Sequence, residues 1–136
     1  MSMASLHHVA PTVRPADSKT VMELVLSGDV DMENAQELRR YLTGALERGA
    51  DIVIDLADVR LIDCACLDVL VRAARTAHTL DSVISLVTPS DLVRMTLRVT
   101  EADILFPICD DRAAALRRCG TEEAAQRDLS PSDPFC

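Results

Sequence analysis

A chain of 136 residues, 49% of them hydrophobic, is long enough to bury one core without disulfides or metal; with two phenylalanines, one tyrosine and no tryptophan, that core must be built from Leu, Val, Ile and Ala. Its formal charge of −8 and the lack of any basic stripe interleaved with aromatic rings exclude phosphate-backbone recognition, so no nucleic-acid partner is expected. His7, His8, Pro11, Arg14, Pro15 and Asp17 interrupt the first twenty residues, and no apolar run nears the roughly 20 residues of a membrane span, so neither a signal peptide nor membrane insertion is expected and a cytoplasmic location follows.

Residues 1–19 read as an N-terminal segment, partly flexible, with an edge strand over Leu6–Val13 and a turn over Arg14–Lys19. Thr20 to Ser27 is a strand that Gly28 ends. Asp31 is placed to cap a helix over Met32–Arg48, in which Ala35, Leu38, Leu42, Ala45 and Leu46 make one apolar stripe and Gly49 closes the end. Ile52–Leu56 is a short β-branched run suited to a strand covered on both faces. After a loop through Leu61 and Ile62, helical spacing resumes with Leu67, Leu70, Val71, Ala74 and Ala77 behind a first turn reading Asp63-Cys64-Ala65-Cys66.

Ser82–Val87 is the next strand. Thr88-Pro89-Ser90-Asp91 reads as a helix start with Thr88 as cap and Pro89 at the first position. That helix is expected to reach about Arg98 and to bury Leu92, Met95 and Val99 or its neighbour Leu97. Ile104–Cys109 is expected as a last short strand, followed by a helix from an Asp110 cap through Arg118 that Gly120 terminates. The domain therefore spans 20–119, with 120–136 a flexible polar tail.

The alternation implies an α/β fold: a mostly parallel, mixed sheet of four to five strands with about four helices packed on it through right-handed crossovers. The carboxyl ends of successive parallel strands would bring Asp29 to Asn34, Leu61 to Leu67 and Thr88 to Asp91 to one edge, where open α/β sheets bind ligands and partners.

Gly28-Asp29-Val30-Asp31 with Asn34, Ala35 and Leu38, then Ile-Val-Ile-Asp-Leu, then Leu61-Ile62-Asp63-x-x-x-Leu67, together resemble the STAS domain of bacterial anti-sigma factor antagonists over about residues 20–118. The resemblance implies a STAS-like fold and a non-enzymatic module that captures an anti-sigma factor of kinase-like fold and frees a sigma factor, working as a monomer or weak dimer without cofactor or metal. It implies partner-binding roles for Asp29, Asp31, Asn34, Ile62, Asp63, Cys64, Ala65, Leu67 and Thr88. In the family the residue after the aspartate is a serine phosphorylated by that kinase. Here Cys64 stands at the phosphorylation-equivalent position, Ala65 next, and Cys66 where glycine is usual.

With no Ser or Thr between Asp63 and Val71, ordinary phosphorylation is not expected at this turn. A helix N-terminus favours the thiolate form that does redox chemistry, although Asp63 opposes it, so Cys64, Cys66 and Cys109 are candidate redox residues. The alternative for Cys64 and Cys66 is that each is a small apolar filler of a tight junction. The five cysteines lack the paired spacing of a structural zinc site built from four thiolates. Other readings are an accessory STAS subunit docked on a transporter ATPase or in a stress-signalling assembly and, in another class, a thiol redox protein.

Overall fold

The computed structural model describes residues 5–13, 20–87 and 89–118, with side-chain surroundings for 20–87 and 89–117. The expected turn over 14–19, the Gly120 helix stop and the tail over 120–136 lie outside the described residues. In chain order the elements are β1 (Ser5–Val13), β2 (Thr20–Val30), α1 (Met32–Glu47), β3 (Asp51–Ile62), α2 (Cys64–Thr79), β4 (Ile84–Val87), α3 (Asp91–Val99), a 3₁₀ turn (Ala102–Leu105), β5 (Ile108–Cys109) and α4 (Arg112–Arg118). One sheet holds the strands in the order β1-β2-β3-β4-β5; β1 runs antiparallel to β2, and all later pairings are parallel. The expected edge strand, the mostly parallel sheet and four helices are all present.

Alternation along the strands divides the core between two faces. Met22, Leu24, Ile52, Ile54 and Leu86 pack with Leu38 and Leu42 of α1, Leu67 and Leu70 of α2, Val93 and Leu97 of α3, and Phe106. Each such side chain is worth about 1.5–3 kcal/mol when fully buried. Val21, Val53, Val87 and Cys109 form the smaller cluster under Ala115 of α4. Also from β2, the buried carboxylate of Glu23 meets α4, where Arg112 donates from Nη2 to Oε2 at 2.8 Å and from Nε to Oε1. That bond raises the pKa of Arg112 above its ordinary value.

The structure departs from the sequence expectations at five places. β2 does not stop at Gly28: with φ 77 this residue sits where the register against β3 slips, a bulge that lets pairing continue to Val30↔Ile62. β3 likewise runs on from Leu56 to Ile62, yet β4 accompanies it only as far as Asp55↔Val87. Beyond that point β3 keeps only β2 beside it among the described residues, as far as Val30↔Ile62, in a narrow ribbon whose β2 side β1 still flanks up to Ser27; Val59 and Ile62 are buried and Ala57, Asp58, Arg60 and Leu61 exposed. Exposure of alternate stretches hides such an extension from an apolar-run criterion.

The third departure is α3. Its cap is Ser90, whose hydroxyl accepts from Val93 N at 3.2 Å, so Pro89 precedes the helix instead of opening it, and Thr88 lies outside the described residues. Its buried residues are Val93 and Leu97, while Leu92, Met95 and Val99 are exposed. Apolar residues occupy roughly 200° of this helix's circumference, so periodicity alone does not say which half meets the sheet.

The fourth departure follows. Glu101, at φ 61, turns the chain into a 3₁₀ turn containing Ile104, and β5 shrinks to Ile108 and Cys109. Pro107 contributes only its carbonyl, which accepts from Leu86 N at 2.9 Å. At the next connection Asp111, not Asp110, caps α4 by accepting from Ala114 N at 2.7 Å.

Candidate functional site at the ribbon end and the start of α2

The ribbon ends where two helices begin. Asp31 caps α1 by accepting from Glu33 N at 3.0 Å, and Asp63 caps α2 by accepting from Cys66 N at 3.0 Å. Both acids occupy extended backbone, as helix caps do, and satisfy amides that the first turn leaves without partners. Asp63 N in turn donates to Val30 O at 3.0 Å, which fixes the start of α2 to the end of β2.

Cys66 closes the arrangement. It is fully buried, and its thiol donates to Asp31 O at 2.9 Å, linking the two helix starts. Burial, with Asp63 and then Asp31 adding to it, pushes its pKa up to about 12. A protonated, inaccessible sulfur is a poor nucleophile. Cys109 is buried too, in the cluster under α4, whereas Cys64, the first residue of α2, is exposed. Of the three candidate redox residues, only Cys64 is presented to solvent. Peptide mapping after a brief iodoacetamide pulse should therefore find Cys64 alkylated and Cys66 and Cys109 protected until the chain is unfolded; comparable labelling of Cys66 in the folded state would overturn this geometry.

The other expected site residues divide into holders and surface. Ile62 and Leu67 are buried with 7% exposure each, so in this chain by itself they seat the loop in the core. Ala65, between the two cysteines, is half-buried. Asn34 N donates to Asp31 O at 2.9 Å within the first turn of α1. Asp29 is engaged by Arg60 across the ribbon, with Nε–Oδ1 2.9 Å and Nη2–Oδ2 2.7 Å. This two-pronged bond holds the Asp29 carboxyl below its ordinary value and Arg60 above its own. Two exposed apolar residues stand at this end, both inside the edge expected from the sequence but neither named there as a partner-binding residue: Met32, 72% exposed at the first position of α1, and Leu61, 39% exposed beside Ile62. A large apolar side chain next to a helix cap was the available signal.

A family model described as "Mlab, STAS domain" matches residues 13–107. This chain belongs to the STAS-domain family. A search of the curated proteins finds no match in sequence. Among solved structures, the STAS domain is similar to an anti-sigma factor antagonist from Mycobacterium paratuberculosis, with TM-score 0.68 and 20% identity over 85% of this chain and 94% of that one. It is similar to the anti-sigma factor antagonist SpoIIAA in its unphosphorylated form, with TM-score 0.68 and 17% identity over 84% and 95% of the two chains. The phosphorylated form of SpoIIAA, described as a Bacillus cell fate determinant, gives TM-score 0.65 and 15% identity over 84% and 98%. At these identities the likeness is one of fold.

Within this STAS domain the segment 61–67 thus carries one exposed sulfur, Cys64 Sγ, on a helix start held by Asp63, Cys66 and Asp31. Among the described residues no group of three His, Cys, Asp or Glu side chains is placed to hold a metal ion, and no helix is long and apolar enough to cross a membrane.

Proposed function

We propose that this STAS domain is an anti-sigma factor antagonist, a non-enzymatic module that captures an anti-sigma factor of kinase-like fold at the ribbon end and the start of α2. The observation that carries the reading is the exposed Cys64 at the start of α2. Cys64 lies at a helix N-terminus whose geometry is held by the Asp63 cap and the Cys66–Asp31 bond, with exposed Met32 and Leu61 at the same end of the sheet. Apolar side chains of this size, set beside a rigid turn, suit a protein partner better than a small substrate. The fold shared with antagonists whose structures include phosphorylated and unphosphorylated forms supports the same reading.

Cys64 occupies the position that resembles the phosphorylated serine, so this antagonist is not switched by phosphate there. It is either constitutive or switched by oxidation of Cys64, which adds bulk and polarity at the contact. Pull-down of an anti-sigma factor encoded beside the gene, before and after diamide treatment in the presence of glutathione, tests both halves. Capture that is lost on oxidation in wild type and retained in Cys64→Ser supports the switch; equal capture throughout leaves a constitutive antagonist. Recovery of a transporter ATPase, or turnover of a dithiol substrate, would replace the reading with one of the two alternatives. Phosphate found on residues 63–67 after incubation with the kinase and ATP would contradict it.

A further inference from the structure

The outer face of α3 is apolar and, among the described residues, uncovered. Leu92, Met95 and Val99 are 52%, 59% and 76% exposed, and Ile104 in the following turn is 69% exposed. Spaced three and four apart, the three helix residues form one stripe. Leu92, Met95 and Val99 are large apolar side chains in a row, an uncommon feature of a surface that stays in water. The inner residues Val93 and Leu97 already anchor the helix to the core, so nothing in the fold requires the second stripe.

The charges beside the stripe decide what fits it. Asp91 and Arg98 lie on the same flank, about 20° apart around the helix, and at opposite ends of it. Both are exposed, and neither side chain makes an ion pair with another described residue. A stripe that is acidic at one end, basic at the other and apolar between is complementary to itself once reversed.

We propose that α3 is an interface between two copies of this chain, with the two α3 helices packed antiparallel about a two-fold axis at Met95. In that arrangement Met95 meets the partner's Met95, Leu92 packs near the partner's Val99, and Asp91 pairs with the partner's Arg98, twice by symmetry. Four apolar side chains on each copy fall short of the roughly 800 Å² that a stable interface buries per partner, so the dimer is weak and concentration-dependent.

Sedimentation of the full chain with a non-thiol reductant, from about 10 to about 500 µM, reads it out. Wild type should pass from monomer to dimer across the range, and Met95→Glu should remain monomeric with unchanged circular dichroism. Asp91→Arg and Arg98→Asp should each weaken the dimer about tenfold, because every substitution turns two symmetric attractions into repulsions. The double variant Asp91→Arg/Arg98→Asp should recover the wild-type constant, which a merely structural role for either residue would not produce. A wild-type chain monomeric throughout, a dimer that survives Met95→Glu, or a double variant weaker than both singles would each overturn the proposal. Monomeric wild type that loses anti-sigma factor capture on Met95→Glu would assign the stripe to that partner instead.

Discussion

Cys64→Glu is expected to lower the proposed capture of an anti-sigma factor about 100-fold, a loss of about 2.7 kcal/mol, while Cys64→Ser binds as wild type. The argument begins with the helix. A carboxylate in the first turn of α2 is favoured by the helix dipole, so the substitution leaves the domain folded. The same charge must be stripped of water when a partner covers the turn, and an unpaired charge in a protein interface costs a few kcal/mol. Because Cys64 is exposed and Cys66 carries the structural bond to Asp31, the effect should appear in affinity and not in melting temperature. Calorimetric titration of the two variants measures it, and wild-type affinity for Cys64→Glu would remove the first turn of α2 from the interface. Cys64→Ser should additionally become a phosphate acceptor for the proposed kinase-like partner, since it restores the hydroxyl at the resembling position.

The second large effect concerns stability. Arg112→Met should cost about 2–3 kcal/mol, because it takes the two-pronged arginine bond away from the buried carboxylate of Glu23. The lower part of the range for a broken buried pair applies, since the arginine side chain is itself 58% exposed and partly screened. Glu23→Gln combined with Arg112→Met should recover a good part of that loss, because no buried charge then remains. Chemical denaturation of the four members of this cycle gives the coupling directly. Additive single effects would show that Arg112 acts by packing alone.

The pair bears on the fold because it closes the second face of the sheet. Three helices cover the first face with most of the aliphatic core, but α4 has seven residues and its apolar contacts are with the small cluster of Val21, Val53, Val87 and Cys109. A helix that short is marginal by itself. The Glu23–Arg112 bond ties it to β2, 89 positions earlier in the chain.

Local chemistry was enough to read much of this protein from its sequence. The Asp31 and Asp63 turns, the stripe of α1 ending at Gly49, the Leu70–Ala74–Ala77 face of α2 and the order of strands and helices all follow from capping, periodicity and turn residues within a few positions of one another. The similarity to a STAS domain was legible for the same reason, since its motifs sit at those turns. Three things were decided only by tertiary structure. The sheet chose which half of α3's broad apolar arc to bury, leaving Leu92, Met95 and Val99 outside. The Gly28 bulge realigned β2 with β3 and brought Arg60 onto Asp29, a pairing between residues 31 positions apart. The approach of the two helix starts separated two sulfurs that look alike in sequence, burying Cys66 on the carbonyl of Asp31 and leaving Cys64 in water. Each depends on which surfaces meet across the fold, and burial is a property of that meeting.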